Sequence, residues 1–436
     1  ITHDINLSFS LLAGLATLIT ALILYETVVR LTARISAGAI SALLYLLHPL
    51  VIFHTLVGLT YAFESLAVAS VARLTLAVFE TRSRKWFFLT AALVPLLSGF
   101  RPSIVIAALP FMIAQIALIR RPAILASGAA IAGGAYALWM IPFAAAAGGF
   151  PAALGAITEQ VRSLSISNSL GISSLSLLGM SMVGISVSFI PFFLAYPRAV
   201  WSLMRDVRYR LVAIALAWQT LMFLRIPFGE VGYALGLMPL GILLALPLIR
   251  RTLDHGWRGR TLIGLLLSVL LLGSFTPPAW ITEKKIRAVL PATIAEHDAH
   301  VRDTLSLVRS TPSGTALILV LRGQYRDAAG RTRAYRSEDI RLLTYYLPDT
   351  TLIDFPGVKN HYITAREHRT TEASSTTIPF SDSVQELIIL AEYLHPLDYP
   401  KGATRIIEKS NPHRYTAPLS GITSFQFNGF TFRQTP

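Results

Sequence analysis

Several polar side chains stand where apolar segments of this sequence begin or end, and their types suit phosphate binding and proton transfer. Arg101 lies in SGFRPS, Glu64 in TYAFESLA, and Arg225 and Glu230 flank a proline in FLRIPFGEVGYA. A guanidinium binds phosphate through two parallel hydrogen bonds and keeps its charge in a partly dry site. We therefore take Arg101, Arg225, Glu230 and Tyr233 as candidates for binding a lipid phosphate or another part of a substrate.

Two acid–base side chains, His54 and Glu64, are candidates for catalysis, because a positioned carboxylate or imidazole can take a proton from a reacting hydroxyl. Structural roles compete with this interpretation. Glu64 could cap its own helix. Arg101 could extend to the membrane interface, as long basic side chains do.

The elements that position these side chains are long apolar runs, which fill residues 5–275. Residues 280–436, by contrast, have the composition of a water-soluble domain. The chain is 53% hydrophobic and only 14% charged, against roughly a quarter charged residues in soluble domains. We predict an α-helical polytopic membrane protein with about ten transmembrane helices, some of which only marginally reach the roughly 20 residues that a span needs. The predicted segments are 6–28, 36–56, 60–79, 86–100, 103–119, 123–146, 176–197, 210–225, 231–249 and 260–276.

Arginine and lysine residues separate into alternate loops of this first part. One set of loops holds most of them, including Arg30, Arg34, Arg82, Arg84, Lys85, Arg120, Arg121, Arg250 and Arg251. Cytoplasmic loops retain positive charge, so the other set, with the long loop 148–175, faces outward together with both chain ends. The net charge of +14 follows this pattern, which favours membrane topology over nucleic-acid binding.

The predicted domains are a multi-pass transmembrane domain, residues 1–278, and a small soluble α/β domain, residues 279–436, outside the cytoplasm. Apolar runs predict strands at Ala316–Leu321, Thr351–Phe355, Val384–Leu390 and Ile422–Phe432, with a helix at Glu338–Tyr346. The absence of cysteine excludes disulfides, thiolate catalysis and cysteine metal sites.

The segments LLHPLVIFHTLVGLTYAFESLAVA, GFRPSIVIAALPFMI and RLLTYYLPDTTLIDF, with the outer loop between them, resemble the GT-C superfamily of membrane glycosyltransferases. The resemblance implies transfer of a sugar from a polyprenyl-phosphate donor to a glycan, lipid or protein acceptor at the outer face of the membrane. It makes Arg101 and Arg225 candidates for holding the lipid phosphate. It allows a divalent metal ion, Mg²⁺ or Mn²⁺, although no residue pattern requires one.

The sequence departs from this family at its start, where an outer loop with paired carboxylates is expected and only His3 and Asp4 precede the first apolar run. The resemblance makes Asp4, as the remnant of that loop, a candidate for catalysis, and the alternative is a helix N-cap. We expect the chain to be truncated at its N-terminus. Two alternatives stay open: a non-catalytic membrane scaffold or assembly protein, and a transporter or flippase of a lipid-linked substrate. The chain uses more arginine than lysine, which suggests a bacterial protein and therefore a location in the bacterial inner membrane.

Overall fold

The computed structural model describes residues 5–56, 60–155, 158, 186–225, 235–275, 316–321, 323–326, 332–335, 350–355, 362–366, 369–373, 375–390, 407–409, 414–419, 421–427 and 430–435. The chain divides into two compact units, residues 1–291 and 292–436. The boundary predicted near residue 278 lies outside the described residues.

The first unit is built from helices that follow the apolar runs of the sequence. They are α1 (Ile5–Thr32), α2 (Ile35–Leu46), α3 (Pro49–Leu56), α4 (Tyr61–Thr81), α5 (Arg84–Ser98), α6 (Ser103–Ile119), α7 (Pro122–Ala146), α8 (Ile190–Ala195), α9 (Pro197–Leu203), α10 (Val207–Arg225), α11 (Leu237–Asp254) and α12 (Gly256–Phe275). Residues 176–185 of the predicted segment 176–197 lie outside the described residues, and the described part contains the short helix α8. The long predicted loop 148–175 is described only at residues 148–155 and 158.

Four described helices are long and apolar enough to cross a membrane, namely Ser8–Thr32, Tyr61–Thr81, Pro122–Ala146 and Gly256–Gly273. A fifth span results if α2 and α3 are counted together. These helices indicate a membrane protein, but the prediction of about ten spans is not confirmed. Helices α5 and α6, with 15 and 17 residues, are shorter than the roughly 20 residues of a straight span.

The predicted single helix 36–56 is wrong in one respect, because it consists of two helices bent by 62°. Proline disfavours the α conformation of the residue before it, so the chain breaks at His48 ahead of Pro49. The side chain of His48 then serves the new helix, since its Nδ1 accepts a hydrogen bond from the backbone N–H of Leu50 at 3.2 Å. This capping satisfies one of the backbone donors at the start of α3.

Helix α4 lies at the centre of the first unit and packs against α1, α5 and α6. Its residues from Tyr61 to Val78 are almost all buried. Within the same unit α6 packs against α10, where the indole of Trp218 donates to the carbonyl of Ile106 at 2.9 Å. That carbonyl has no helical partner because Pro110, four residues later, lacks an N–H. The tryptophan therefore satisfies a backbone acceptor that proline has freed.

The second unit contains strands. They are β1 (Ala316–Leu321), β2 (Gly323–Arg326), β3 (Thr332–Tyr335), β4 (Thr351–Phe355), β5 (Tyr362–Arg366), β6 (Arg369–Ala373), β7 (Thr377–Ser381), β8 (Glu386–Leu390), β9 (Ile407–Lys409), β10 (Arg414–Pro418), β11 (Ser424–Phe427) and β12 (Phe430–Thr435).

A seven-stranded sheet with the order β6-β5-β4-β1-β8-β10-β9 forms the body of this unit. Strand β1 is parallel to both β4 and β8, and the outer pairs are antiparallel. Strand β1 is buried on both faces, which agrees with its continuous apolar sequence ALILVL. A second sheet, β11-β12-β7, contributes a stacked pair of buried rings, Phe425 and Phe432, with centroids 4.5 Å apart.

The strands predicted at Ala316–Leu321 and Thr351–Phe355 are confirmed by β1 and β4, and Val384–Leu390 contains β8. The single strand predicted at Ile422–Phe432 is wrong, because β11 and β12 pair antiparallel with Phe427 opposite Phe430. The two residues between them, Asn428 and Gly429, are the pair typical of tight hairpins. The helix predicted at 338–346 lies outside the described residues.

Candidate functional site

Helix geometry places three of the predicted site residues at one end of the first unit. Helix α4 begins at Tyr61, so Glu64 occupies its first turn. Helix α5 ends at Ser98 and α6 begins at Ser103, and the short connection between them carries Arg101. Because α4 and α6 pack together, their N-terminal ends bring Glu64 and Ser103 into contact. A carboxylate in a first helical turn is also stabilised by the helix dipole.

Arg101 and Glu64 form an ion pair buried in the protein. Nε of Arg101 lies 2.7 Å from Oε2 of Glu64, and the two side chains are only 9% and 8% exposed. Ser103 completes a triangle, since its hydroxyl accepts from Arg101 Nε at 3.0 Å and donates to Glu64 Oε2 at 2.8 Å. Nη1 of Arg101 also donates to the hydroxyl of Thr60 at 3.3 Å. Hydrogen bonds between charged groups are short and strong, so they hold the side chains of Arg101 and Glu64 in fixed positions.

Aromatic rings extend this pair toward His54. The guanidinium carbon of Arg101 lies 4.0 Å from the centre of the Tyr61 ring, a cation–π contact. The His54 imidazole meets the same ring edge-on, with centroids 5.0 Å apart. His54 is 5% exposed, and both of its ring nitrogens are buried without a hydrogen-bond partner among the described residues. Such an unsatisfied imidazole is costly to maintain, which makes it a candidate for a group that acts on a ligand.

The other oxygen of Glu64 faces α10 and the start of α11. A Cβ atom placed on Gly236 would lie 3.4 Å from Oε1 of Glu64 and 3.2 Å from Oε1 of Gln219. The amide of Gln219 in turn donates to the carbonyl of Ala107 in α6 at 3.3 Å. Gly236 thus lies in van der Waals contact with Gln219 and with the Glu64 carboxylate. We call the group Thr60, Tyr61, Glu64, Arg101, Ser103 and His54 the α4 entrance cluster.

The α4 entrance cluster combines an anion-binding group with groups that can accept a proton. Arg101 can bind a phosphate oxygen, and Glu64 and His54 can accept the proton of a hydroxyl. In the described geometry Arg101 and Glu64 are bonded to each other. The bond to Glu64 uses Nε of Arg101, and a guanidinium carries further N–H donors on its two Nη atoms. A phosphate can therefore accept from Arg101 while the bond to Glu64 stays in place.

The structure brings together His54, Glu64 and Arg101 of the predicted site residues. Asp4, Glu230 and Tyr233 lie outside the described residues. Arg225 is the last residue of α10, and its side chain is likewise outside the described part.

Sequence reasoning missed Ser103 and Thr60, because a hydroxyl beside a helix start is common in any membrane protein. It also missed Arg73 within α4, although a charged residue in the middle of an apolar run is a strong signal.

No group of three or more His, Asp or Glu side chains that could hold a metal ion occurs among the described residues. A role for Mg²⁺ or Mn²⁺ stays a prediction. Comparison of the chain with protein-family models, curated proteins and solved structures finds no match.

Proposed function

We propose that this protein is a membrane glycosyltransferase that moves a sugar from a polyprenyl-phosphate donor to an acceptor hydroxyl. The observation that carries the proposal is the buried pair of Arg101 and Glu64, held at the start of α4 beside the unsatisfied imidazole of His54. Burying two charges and a polar ring is expensive, and such groups in membrane helices commonly serve a substrate.

The proposed chemistry is a single displacement at the anomeric carbon. The acceptor oxygen forms a bond to this carbon while the bond from the carbon to the phosphate oxygen breaks, and the electron pair leaves with the polyprenyl phosphate. The acceptor proton passes to the Glu64 carboxylate. Arg101 stabilises the charge that develops on the leaving phosphate, because a fixed guanidinium in a water-poor site costs no reorganisation. One displacement inverts the anomeric configuration.

The remaining predictions complete this proposal. The acceptor would be a glycan, lipid or protein, and the site would face the outer side of a bacterial inner membrane together with residues 279–436. Arg225, Glu230 and Tyr233 would contribute to substrate binding, and Asp4 to catalysis. The short connection that carries Arg101 would then open to the outer membrane interface.

The test is transfer of radiolabelled sugar from a panel of polyprenyl-phosphate donors in membranes that contain the protein. We expect Arg101→Ala and Glu64→Gln to lose transfer, by about 10²-fold or more for a base or an electrostatic group. Matched controls are Arg120→Ala and Glu80→Gln, which remove the same charges at exposed positions on the same bundle. The controls should transfer at the wild-type rate. Absence of transfer by the wild-type protein from every donor would overturn the proposal.

The second candidate function is a non-catalytic membrane scaffold, and the closed geometry of the ion pair favours it. Arg101 and Glu64 neutralise each other and are held by Ser103 and Thr60, as in a purely structural pair. If the protein is a scaffold, a variant in which both charged residues are replaced should keep the function of the wild type as long as it folds. Such a double variant therefore distinguishes the two candidates.

A further inference from the structure

Arg73 lies inside α4, away from the α4 entrance cluster. It follows Glu64 by about 14 Å along the helix, at about 1.5 Å per residue. The residue is 8% exposed, and its Nε is buried without a hydrogen-bond partner among the described residues. An arginine inside an apolar helix is costly and needs a partner for its charge.

A single carboxylate provides part of the negative charge that Arg73 needs. Glu26 in α1 lies 3.5 Å from Nη2 of Arg73 and 2.7 Å from Nη2 of Arg30, one helical turn later in α1. Two guanidinium groups thus share one carboxylate, which leaves an excess positive charge at this place. The Arg73 distance is longer than a good charged hydrogen bond, so the pairing is incomplete.

These residues line a cavity of about 280 Å³ between α1, α4 and α5. Glu26, Arg30, Ser70 and Arg73 supply its polar wall, and Leu89 and Leu93 supply part of its apolar wall. The cavity is thus charged on one side and apolar on the other, which suits an amphiphile. Leu89 is 47% exposed, so the apolar side continues onto the outer surface of the bundle.

Trp86, at the start of α5, adds a second observation. It also lines the cavity, and its indole Nε1 is buried without a hydrogen-bond partner among the described residues. The indole N–H and the Nε–H of Arg73 can only donate. Both donor atoms are covered by protein atoms in this geometry, so an anion in the cavity reaches them only if neighbouring side chains shift. Two unsatisfied donors beside an excess positive charge call for an anion that carries several acceptor oxygens. Tryptophan is moreover the residue typical of a membrane interface.

We propose that this cavity binds the phosphate group of an anionic lipid, held by Arg73, Arg30 and the indole N–H of Trp86. The phosphate oxygens accept hydrogen bonds from Nε of Arg73 and from the indole N–H of Trp86, and their negative charge neutralises the excess positive charge. The volume holds a head group and the first methylene groups, and the acyl chains continue along Leu89. The loop before α5 carries Arg82, and the first turn of α5 carries Arg84 and Lys85. These positive charges would attract anionic lipid to the entrance. The site is separate from the α4 entrance cluster and does not depend on the proposed function.

The experiment measures lipid binding to the purified full chain in a neutral detergent by native mass spectrometry. The probes are phosphatidylglycerol, diacylglycerol with the same acyl chains, and inorganic phosphate. The variants are Arg73→Gln and Trp86→Phe, and the latter keeps an aromatic ring while it removes only the N–H donor. Arg120→Gln is the matched control, because it removes one exposed arginine near the same end of the bundle.

We expect phosphatidylglycerol to bind the wild type and the Arg120→Gln control equally, and to bind Arg73→Gln and Trp86→Phe about tenfold more weakly or worse. If Arg73→Gln does not fold, Trp86→Phe carries the test. Equal binding to wild type and Trp86→Phe would overturn the proposed site, as would equal binding of diacylglycerol and phosphatidylglycerol. Displacement of the lipid by an equal concentration of inorganic phosphate would show a free-phosphate site and overturn the lipid assignment.

Discussion

Replacement of Arg101 and Glu64, singly and together, should separate their structural role from their chemical one. Arg101→Met removes the guanidinium and leaves the Glu64 carboxylate with the Ser103 hydroxyl as a donor. Glu64→Leu leaves the guanidinium with Thr60 and the Tyr61 ring. Both changes keep a side chain of similar bulk, so lost packing contributes little.

The size of the effect follows from the geometry of the pair. Two charges about 4 Å apart at an effective dielectric constant of about 20 attract each other by about 4 kcal/mol. Both side chains are less than one-tenth exposed, so water cannot replace the lost partner. Each single substitution should therefore lower the free energy of unfolding by about 3–5 kcal/mol. The double variant removes both charges and should cost far less than the two single variants combined.

The assay is a double-mutant cycle on the free energy of unfolding in detergent micelles, combined with the sugar-transfer assay on every variant that folds. We expect strong coupling between the two positions and a folded double variant without transfer activity. Additive single effects would refute the claim that the pair is a coupled buried unit. A stable double variant that transfers sugar at the wild-type rate would refute the proposed chemistry while it leaves the structural account intact.

Three further predictions concern the packing that positions these residues. Gly38→Val should destabilise the protein by about 1–3 kcal/mol, because a Cβ there would lie 2.6 Å from the Val29 side chain. The measurement is the free energy of thermal unfolding, with unchanged helix content as the control that the variant folds. Trp218→Phe should lower stability by about 1 kcal/mol, because it leaves the Ile106 carbonyl without its indole donor, and an unchanged melting temperature would contradict it. Gln115→Leu, which removes two buried hydrogen bonds between helices, should cost only about 0.6 kcal/mol per bond, so a loss above 3 kcal/mol would be inconsistent with this account.

Much of the helical unit could be predicted because apolar runs determine where helices form. The predicted segments 60–79 and 103–119 agree with α4 and α6 to within a few residues. Local rules also explain the break at His48, since Pro49 was visible in the sequence. The number of membrane spans was less predictable, because short apolar helices such as α5 satisfy a hydropathy pattern without the length of a full span.

The strand order of the second unit could not be predicted in the same way. Strands β1 and β8 pair in parallel although about 65 residues separate them in the sequence. Two parallel strands cannot be joined by a tight turn and need a long crossover connection, so strands that are distant in the sequence become neighbours. A run such as ALILVL indicates a buried strand and contains no information about its neighbours. The alternating burial of β7 and β11, by contrast, follows directly from the two-residue period of a strand.

The sequence by itself determined that most charged groups lie near helix ends, because the cost of burying them inside apolar segments restricts their positions; Arg73 inside α4 is an exception. Only the tertiary structure decided which of these groups meet. It paired Arg101 with Glu64, since the packing of α4 against α6 brings two helix starts together, and it placed Arg101 and His54 against the same Tyr61 ring. It also joined Arg73 to Glu26 across two helices. Contacts between distant residues depend on how helices pack, and a linear pattern of residue types does not contain that information.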